Sequence, residues 1–306
     1  MRLLLAGLGA ALALGPSTVR ADATYEMLLR TSDLLAGGTV ELEERIVVSV
    51  KGGRLRQEAT GSRAVVTRRG ARYEKSGQSL TLDQLDRGRR FEIAADAGTY
   101  VEETFADGRR RREAELTAAE KALGIDAVEA PPALPVSVDR TGERLRVHGR
   151  DCERVVLRST REIVVVAGRG APEASTTPSR FAMTFDLCLA PVVRAVAEAQ
   201  ALKARIGDLT GKRCPTLDRE LRVFARRRDV FAVFALLHRL LEREQQRLGG
   251  VALRWERVFS GPRRGELQAT LVRERGEITR IEEGSLDAST FELPPALSPA
   301  RPVADP

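Results

Sequence analysis

The sequence predicts an α+β fold in which an antiparallel sheet packs against a long amphipathic helix. Two observations support this prediction. Short stretches of alternating apolar and polar residues, separated by glycine turns, occur before and after the central helical region, as in an antiparallel meander. Within that region, from Leu217 to Leu248, apolar residues recur at spacings of three, four or seven, which is typical of a helix with one apolar face.

The N-terminal residues predict export. Arg2 supplies a positive charge, Leu3 to Leu14 form a short apolar segment, and Ala21-Asp22-Ala23 matches a cleavage signal before Thr24. The apolar segment is too short for a membrane anchor, and no cysteine follows it that could carry a lipid. We therefore expect residues 1–23 to be a signal peptide. The mature protein is expected to be soluble, periplasmic or secreted, and not membrane-spanning.

The first part of the mature chain predicts a series of strands. Tyr25 to Arg30 precede a turn at Gly37-Gly38, and like residues alternate from Val40 to Val50 as in a half-buried strand. Glycines at 52–53, 61, 70, 77, 88 and 98 are expected to separate the strands that follow, namely Arg54 to Ala59, Ala64 to Arg68, segments around Tyr73 and Leu80 to Leu82, Phe91 to Ile93, and Thr99 to Phe105.

The middle of the chain predicts a change of structure and then a hairpin. A basic loop at Arg109 to Arg112 is expected to lead into a helix from Glu113 to Leu123, and the proline-rich residues 130–135 form a stiff link. Strands are expected to resume in the segments that follow, which are Arg144 to His148, Glu153 to Ala167 and, after a polar loop at Gly168 to Ser179, Arg180 to Leu187.

Two helices and a final set of strands complete the predicted domain. Pro191 is expected to open a helix that runs through Ile206, and Thr216 is a plausible N-cap of the long helix, which Gly249-Gly250 would end. The middle of the long helix, 230–241, leaves only His238 and Arg239 to face water. Later strands are predicted at Ala252 to Phe259, Gly265 to Arg275 and Glu277 to Glu283, separated by Gly261-Pro262 and Gly276, before a closing segment at Phe291 to Pro295. We thus expect one domain over 24–295, with a helical insertion at 190–248 and a disordered tail at 296–306.

Four short motifs resemble a family of exported bacterial proteins of unknown function. They are Val50-Lys51-Gly52-Gly53-Arg54-Leu55-Arg56, Gly98-Thr99-Tyr100-Val101-Glu102, a hairpin strand that begins Gly-x-x-Cys (Gly149 to Cys152) and leads to a second strand and then Asp186-Leu187-Cys188-Leu189-Ala190-Pro191, and Phe291-Glu292-Leu293-Pro294. Such families resemble the LolA/LolB-like lipoprotein carriers, in which a curved antiparallel sheet forms a half-barrel with helices on its concave face. The resemblance implies this fold over nearly the whole mature chain, and a lipid or lipoprotein ligand. Cys188 departs from the pattern, since an aromatic residue is expected there.

The three cysteines, Cys152, Cys188 and Cys214, are expected to lie in an oxidising compartment after export. Because three is an odd number, either one internal disulfide forms and one thiol is left over, or no disulfide forms. No two of the cysteines have C-x-x-C spacing, and the only histidines are His148 and His238. The sequence therefore predicts no metal site.

Catalysis and nucleic-acid binding are both disfavoured. The chain has no nucleophile, metalloprotease or phosphate-binding motif, so we expect neither an enzyme nor a cofactor; His148 and His238 are expected to be structural. The net charge is +7, and arginines cluster at 109–112 and 226–228, but aromatic residues make up only 4% of the chain. Nucleic-acid surfaces usually combine basic and aromatic residues. Simple solvation, or contact with an anionic lipid surface, is the better interpretation of these arginines.

A cluster on the long helix is the candidate ligand site. It consists of Phe224, Phe231, Phe234 and Leu241, which are predicted either to pack as core or to line a cavity between helix and sheet. The predicted function is that of an exported, non-enzymatic cell-envelope protein that binds an apolar or lipid-like ligand or an envelope partner. The alternative is a structural or interaction protein of the periplasm without a small-molecule ligand.

Overall fold

The computed structural model describes residues 22–35, 38–67, 71–111, 113–114, 134–163, 179–191, 193–210, 228–263 and 266–300. The strands are β1 (Ala23–Leu35), β2 (Gly38–Lys51), β3 (Arg54–Thr67), β4 (Arg72–Gln84), β5 (Arg89–Ala94), β6 (Thr99–Thr104), β7 (Ser137–Val147), β8 (Arg150–Ile163), β9 (Ser179–Ala190), β10 (Val251–Arg263), β11 (Glu266–Glu283) and β12 (Ser298–Pro299). The helices are α1 (Arg194–Thr210) and α2 (Arg228–Leu248), with a short helical segment at 105–111 and 3-10 turns at Ala95–Ala97 and Ala288–Phe291.

The twelve strands of the described ranges belong to one sheet that does not close, in the order β12-β6-β5-β4-β3-β2-β1-β11-β10-β9-β8-β7. Each neighbouring pair is antiparallel except β12 and β6, which are parallel. The sheet thus consists of two meanders, β1 to β6 and β7 to β11, joined by the pairing of β1 with β11. The predicted α+β class and the antiparallel meander are confirmed.

Four predicted breaks between strands were wrong, because Gly61, Gly77, Gly261-Pro262 and Gly276 lie inside β3, β4, β10 and β11. Three of these glycines serve close packing instead, and a Cβ at Gly261 would overlap the ring of Phe181. A Cβ at Gly61 would overlap the carbonyl oxygen of Glu43, and a Cβ at Gly276 would overlap the indole ring of Trp255. Glycine within a strand often marks such a close approach. The strands are consequently longer than the glycine spacing predicts.

Other boundaries also differ from the prediction. The chain is helical at 105–111, which includes the first arginines of the predicted basic loop. Helix α1 continues past Ile206 to Thr210, whose hydroxyl donates to the Ile206 carbonyl at 2.8 Å. Part of the predicted tail is ordered, since Ser298–Pro299 pairs with β6.

Several predictions fall outside the described residues. These are the predicted signal segment up to residue 21, most of the helix from Glu113, the link up to residue 133, the polar loop up to residue 178, and the long helix before Arg228. Within the described part of the chain, α2 ends as expected at Gly249 and Gly250, both of which have positive φ.

Helix α2 packs on one face of β8 to β11, and α1 contacts the same face of β1 to β3. The register places Thr31 beside Glu274, Glu274 beside Arg257, and Arg257 beside Phe185. Residues directly opposite each other share a face, and so do alternate residues of one strand. Phe185 belongs to the core under α2, while Tyr25, on the same face of β1 as Thr31, accepts a hydrogen bond from Lys203 of α1 at 3.1 Å. We call this the covered face and the other the opposite face.

A disulfide joins Cys152 of β8 to Cys188 of β9. The sequence left open whether a disulfide forms, and the structure contains this one. Cys214 lies outside the described residues. The two bonded cysteines are buried in the core cluster that includes α1, where Val196, Ala199 and Ile206 pack against apolar residues of β1, β2 and β3.

Candidate ligand site on the sheet

Two of the four predicted ligand-site residues are described, and both are core residues. Phe234 and Leu241 on α2 are 2% and 0% exposed. Phe234 packs edge-on against Phe259 of β10 at a ring distance of 5.2 Å, and Phe259 stacks on Phe181 of β9. Phe224 and the side chain of Phe231 lie outside the described residues. The described part of the predicted site is therefore an aromatic layer between helix and sheet.

The space next to Phe234 is almost filled. The cavity there has a volume of about 10 Å³ and is lined by Phe234, His238, Arg257 and Glu274 among others. A volume of this size holds about one water molecule. In this conformation, an acyl chain does not fit at this position beneath α2.

His238 differs from its prediction, because it is buried and does not face water. It is 1% exposed, and its ring packs edge-on against Phe185 at 5.4 Å. Its Nδ1 lies 3.4 Å from Oε2 of Glu242 one turn later, and neither ring nitrogen has a hydrogen-bond partner within the described ranges. The periodicity of α2 placed His238 on its polar edge, but strand β9 covers that edge.

Charged residues of the sheet surround His238. The Arg257 guanidinium lies 4.8 Å from the centre of the Phe185 ring and donates to Oε1 of Glu274 at 3.0 Å. Glu274 also accepts a hydrogen bond from the indole of Trp255 at 3.2 Å. Burial by itself would raise the pKa of Glu242, but neighbouring His238 and Arg257 hold this pKa below its usual range. These contacts join α2 to strands β9, β10 and β11.

A much larger cavity lies on the opposite face. Its volume is about 500 Å³, and all of its lining residues come from strands β1, β7, β8, β9, β10 and β11. The apolar part of the lining includes Leu28 of β1, Leu145 of β7 and the disulfide-bonded Cys188. Cavities of 300–1,000 Å³ are typical of small-molecule sites, as an order of magnitude.

Ion pairs hold most of the charged lining in place. Arg154 donates to both carboxylate oxygens of Asp186, at 3.0 and 2.7 Å, and to Glu143 of β7 at 3.0 Å. Hydrogen bonding to Asp186 and then Glu143 raises the pKa of Arg154 above its already high value, so this guanidinium is always charged. Arg275 is paired with Glu256 at 2.9 Å.

Arg254 is the exception among the arginines of this lining. Its guanidinium is exposed and has no hydrogen bond or ion pair with any residue in the described ranges. The register places Glu277 directly across from it on β11. The Glu277 carboxylate is instead bonded to Nε2 of His148 at 2.7 Å.

His148 lies at the turn between β7 and β8 and shows how this end of the sheet bends. Strands β9 and β10 separate β8 from β11, a span of about 14 Å at ~4.8 Å per strand spacing in a flat sheet. The contact between His148 and Glu277 therefore requires the β7–β8 hairpin to fold over the opposite face. His148 has a φ of 46° and Gly149 one of 79°, so both residues of the turn are left-handed.

That backbone conformation points to a role for the His148 side chain. Among the described residues, His148 is the only non-glycine with positive φ. Asn-Gly or Gly-Gly would form such a turn at lower cost. The sequence analysis predicted that His148 ends a strand. The His-Gly pair between two predicted strands was the signal that could have identified this turn. The contact with Glu277 was not predictable, because it depends on the bending of the sheet.

The described residues contain no group of three or more histidine, cysteine or carboxylate side chains that could hold a metal ion. In the same ranges, no helix has the length and apolar composition required to cross a membrane. No protein-family model, no curated protein and no solved structure matches this chain. The likeness to the lipoprotein carriers accordingly stays a prediction.

Proposed function

We propose that this is an exported, non-enzymatic protein of the cell envelope that binds a lipid-like amphiphile in the cavity of the opposite face. One observation carries the proposal. The cavity on the opposite face has a volume of about 500 Å³, whereas the one beneath Phe234 has about 10 Å³. We therefore place the proposed ligand site on the other side of the same strands, and not at the helix interface that the sequence suggested.

The lining supports an amphiphile better than a purely apolar ligand. Leu28 and Leu145 supply apolar surface, and the disulfide between Cys152 and Cys188 adjoins them. Charged side chains on either side are fixed by ion pairs, as in Arg154 with Asp186. Ligand sites usually combine an apolar lining with a few positioned polar groups, and an amphiphile has both kinds of surface.

The LolA-like half-barrel is the finer fold that we propose. The large open antiparallel sheet and the helices on one of its faces are compatible with it. At the β7–β8 hairpin, however, the sheet bends towards the opposite face, away from α2, whereas the half-barrel has its helices on the concave face.

Export belongs to the same proposal, with a revised cleavage position. The Asp22 carboxylate accepts a hydrogen bond from Lys51 at 2.5 Å and another from the backbone N–H of Leu286 at 3.0 Å. Ala23, in β1, pairs with Val50 of β2. Removal of both residues would break these contacts. Cleavage after Ala21 would keep them, and Val19 and Ala21 then occupy the small-residue positions of the signal.

Native mass spectrometry of protein purified from the periplasm of its own host tests both ligand binding and export. We expect a bound lipid-sized mass and a chain that begins at Asp22. Bare protein in every preparation would favour the alternative, a structural or interaction protein without a small ligand. A chain that retains Leu3 to Leu14 would contradict export.

Two matched variants on β7 locate the binding. Leu145 lines the cavity, whereas Val138 is exposed and pairs with Leu157, which faces α2. Calorimetric titration with laurate should show weaker binding for Leu145→Gln and unchanged binding for Val138→Gln. Equal binding by the two variants would move the site away from this cavity.

A further inference from the structure

We infer that Arg254 binds the anionic head of the ligand, so that the cavity selects amphiphiles with an oxyanion group such as a carboxylate. This inference rests on the proposed function for the place of binding, and adds the chemical class of the ligand. The inference depends on the charges of the residues that line the cavity. Three of the four arginines in this lining are already paired: Arg30 with Glu43, Arg154 with Asp186, and Arg275 with Glu256.

Arg254 has the donors that this role requires. An arginine offers five N–H donors in a planar arrangement that matches the two oxygens of a carboxylate. Within the described ranges, none of these donors has a protein partner. Leu28 and Leu145 line the same cavity and would accommodate the chain of the amphiphile whose head Arg254 binds.

His148 is the positioning residue for this site. Glu277, directly across the strand pair from Arg254, would be the natural partner of its guanidinium. His148 binds Glu277 at 2.7 Å and so keeps this carboxylate away from Arg254. The left-handed backbone at His148 places the ring over the sheet, and this accounts for a histidine where glycine or asparagine is usual.

The test compares two probes that share one chain, laurate and its neutral glycerol ester monolaurin, by calorimetric titration at pH 7.4. The wild-type protein should bind laurate about threefold to tenfold more tightly than monolaurin, the range expected of one net hydrogen bond in water. Arg254→Gln should abolish this preference, so that laurate and monolaurin bind with similar affinity. Arg144→Gln serves as a control, because Arg144 is exposed on β7 and does not line this cavity.

The His148 variants separate positioning from simple structural damage. His148→Ala should reduce laurate affinity, because Glu277 is then free to pair with Arg254. The double variant His148→Ala/Glu277→Gln should restore it, whereas damage to the hairpin would not be repaired by a second substitution. Failure of this restoration would overturn the role of His148.

The two proposals fail in different ways. Equal binding of laurate and monolaurin by the wild type, with no effect of Arg254→Gln, would overturn the anion inference and leave the proposed function standing. Failure of both probes to bind would overturn the proposed function and the inference with it. Acetate that binds as tightly as laurate would show a site for small anions, and would overturn the amphiphile class.

Discussion

The two sides of strands β8 to β11 perform different tasks with the same backbone. On the covered face, Met183, Phe234 and Phe259 pack around a cavity of about 10 Å³. On the opposite face, Arg154 and Arg254 line a cavity of about 500 Å³. Because neighbouring residues of a strand point to opposite sides, Leu187 can belong to the core while Asp186 and Cys188 line the cavity.

The comparison shows that a long helix on a sheet does not by itself locate a ligand site. Next to Phe234, the described residues leave a cavity of only about 10 Å³, so the burial of α2 there stabilises the fold. The face without a filled layer keeps room for a ligand. If this division is correct, substitutions on the covered face should change the free energy of unfolding, and substitutions on the opposite face should change binding.

The largest effect should come from Phe234→Ala. Truncation of a fully buried phenylalanine removes transfer energy and leaves a cavity, and costs roughly 3–5 kcal/mol. Arg239→Ala, at an exposed position of the same helix, should change the free energy of unfolding by less than about 0.5 kcal/mol. Urea denaturation measures both. Near-normal stability of Phe234→Ala together with altered laurate uptake would make α2 a lid over a ligand cavity.

A slightly smaller effect is expected from loss of the disulfide, which joins β8 and β9, two strands that contribute to both faces. Cys152 and Cys188 are 36 residues apart in sequence. Loss of a crosslink over a loop of this length costs about 3–4 kcal/mol in the chain-entropy description. The variant Cys152→Ala/Cys188→Ala should therefore unfold at lower urea concentration. Dithiothreitol should destabilise the wild type towards this value and have no further effect on the variant.

Gly276→Ala should have an intermediate effect, because the added methyl group would overlap the Trp255 ring. Overpacking of this kind costs about 1–3 kcal/mol. Gly77→Ala is the matched control, since Gly77 also lies within a strand but no atom of the described residues comes within 4 Å of the place its methyl carbon would take. Thermal melting should show a clear loss for the first variant and little change for the second. Comparable melting of the two would contradict the packing of Trp255 over Gly276.

The smallest effect should be a pH dependence that originates at Glu242. Burial would raise its pKa, but His238 and Arg257 outweigh burial and hold the pKa below the usual value. The unfolded chain therefore binds this proton more readily than the folded one, and the stabilisation is present above about pH 4.5. It should be lost as the pH falls through the lower folded pKa. Glu242→Gln should flatten the part of the stability curve below about pH 4.5, as measured by urea titrations; an unchanged slope would exclude Glu242 as its source.

Local periodicity was sufficient to predict most of the elements. Alternation from Val40 to Val50 identified β2, and the apolar spacing up to Leu248 identified α2, because both patterns reflect which residues are buried. Glycine was the less reliable signal. It marks a true turn at Gly52, which has positive φ, but close packing at Gly61 and Gly276. The sequence does not distinguish a turn glycine from a close-packed one, and only the residues that surround the glycine in the folded protein do so.

The candidate site shows a sharper limit. The sequence predicted Phe234 and Leu241 as ligand residues or core, and their burial agrees with core. It did not identify Arg254 or the contact of His148 with Glu277, because their strands are distant in sequence and meet only in the sheet. His238 was assigned to the polar edge of α2, where the periodicity of the helix cannot reveal that β9 covers it.

By itself, the sequence predicted the fold class, the approximate positions of most strands and helices, and export, since each prediction depends on residues close together in the chain. Only the tertiary structure decided which two cysteines join, which face of the sheet α2 fills, and which arginine of the cavity lining is left without a partner among the described residues. These outcomes depend on strand order and register. Both are set by contacts between residues far apart in the chain, such as those between β1 and β11, and no local pattern encodes them.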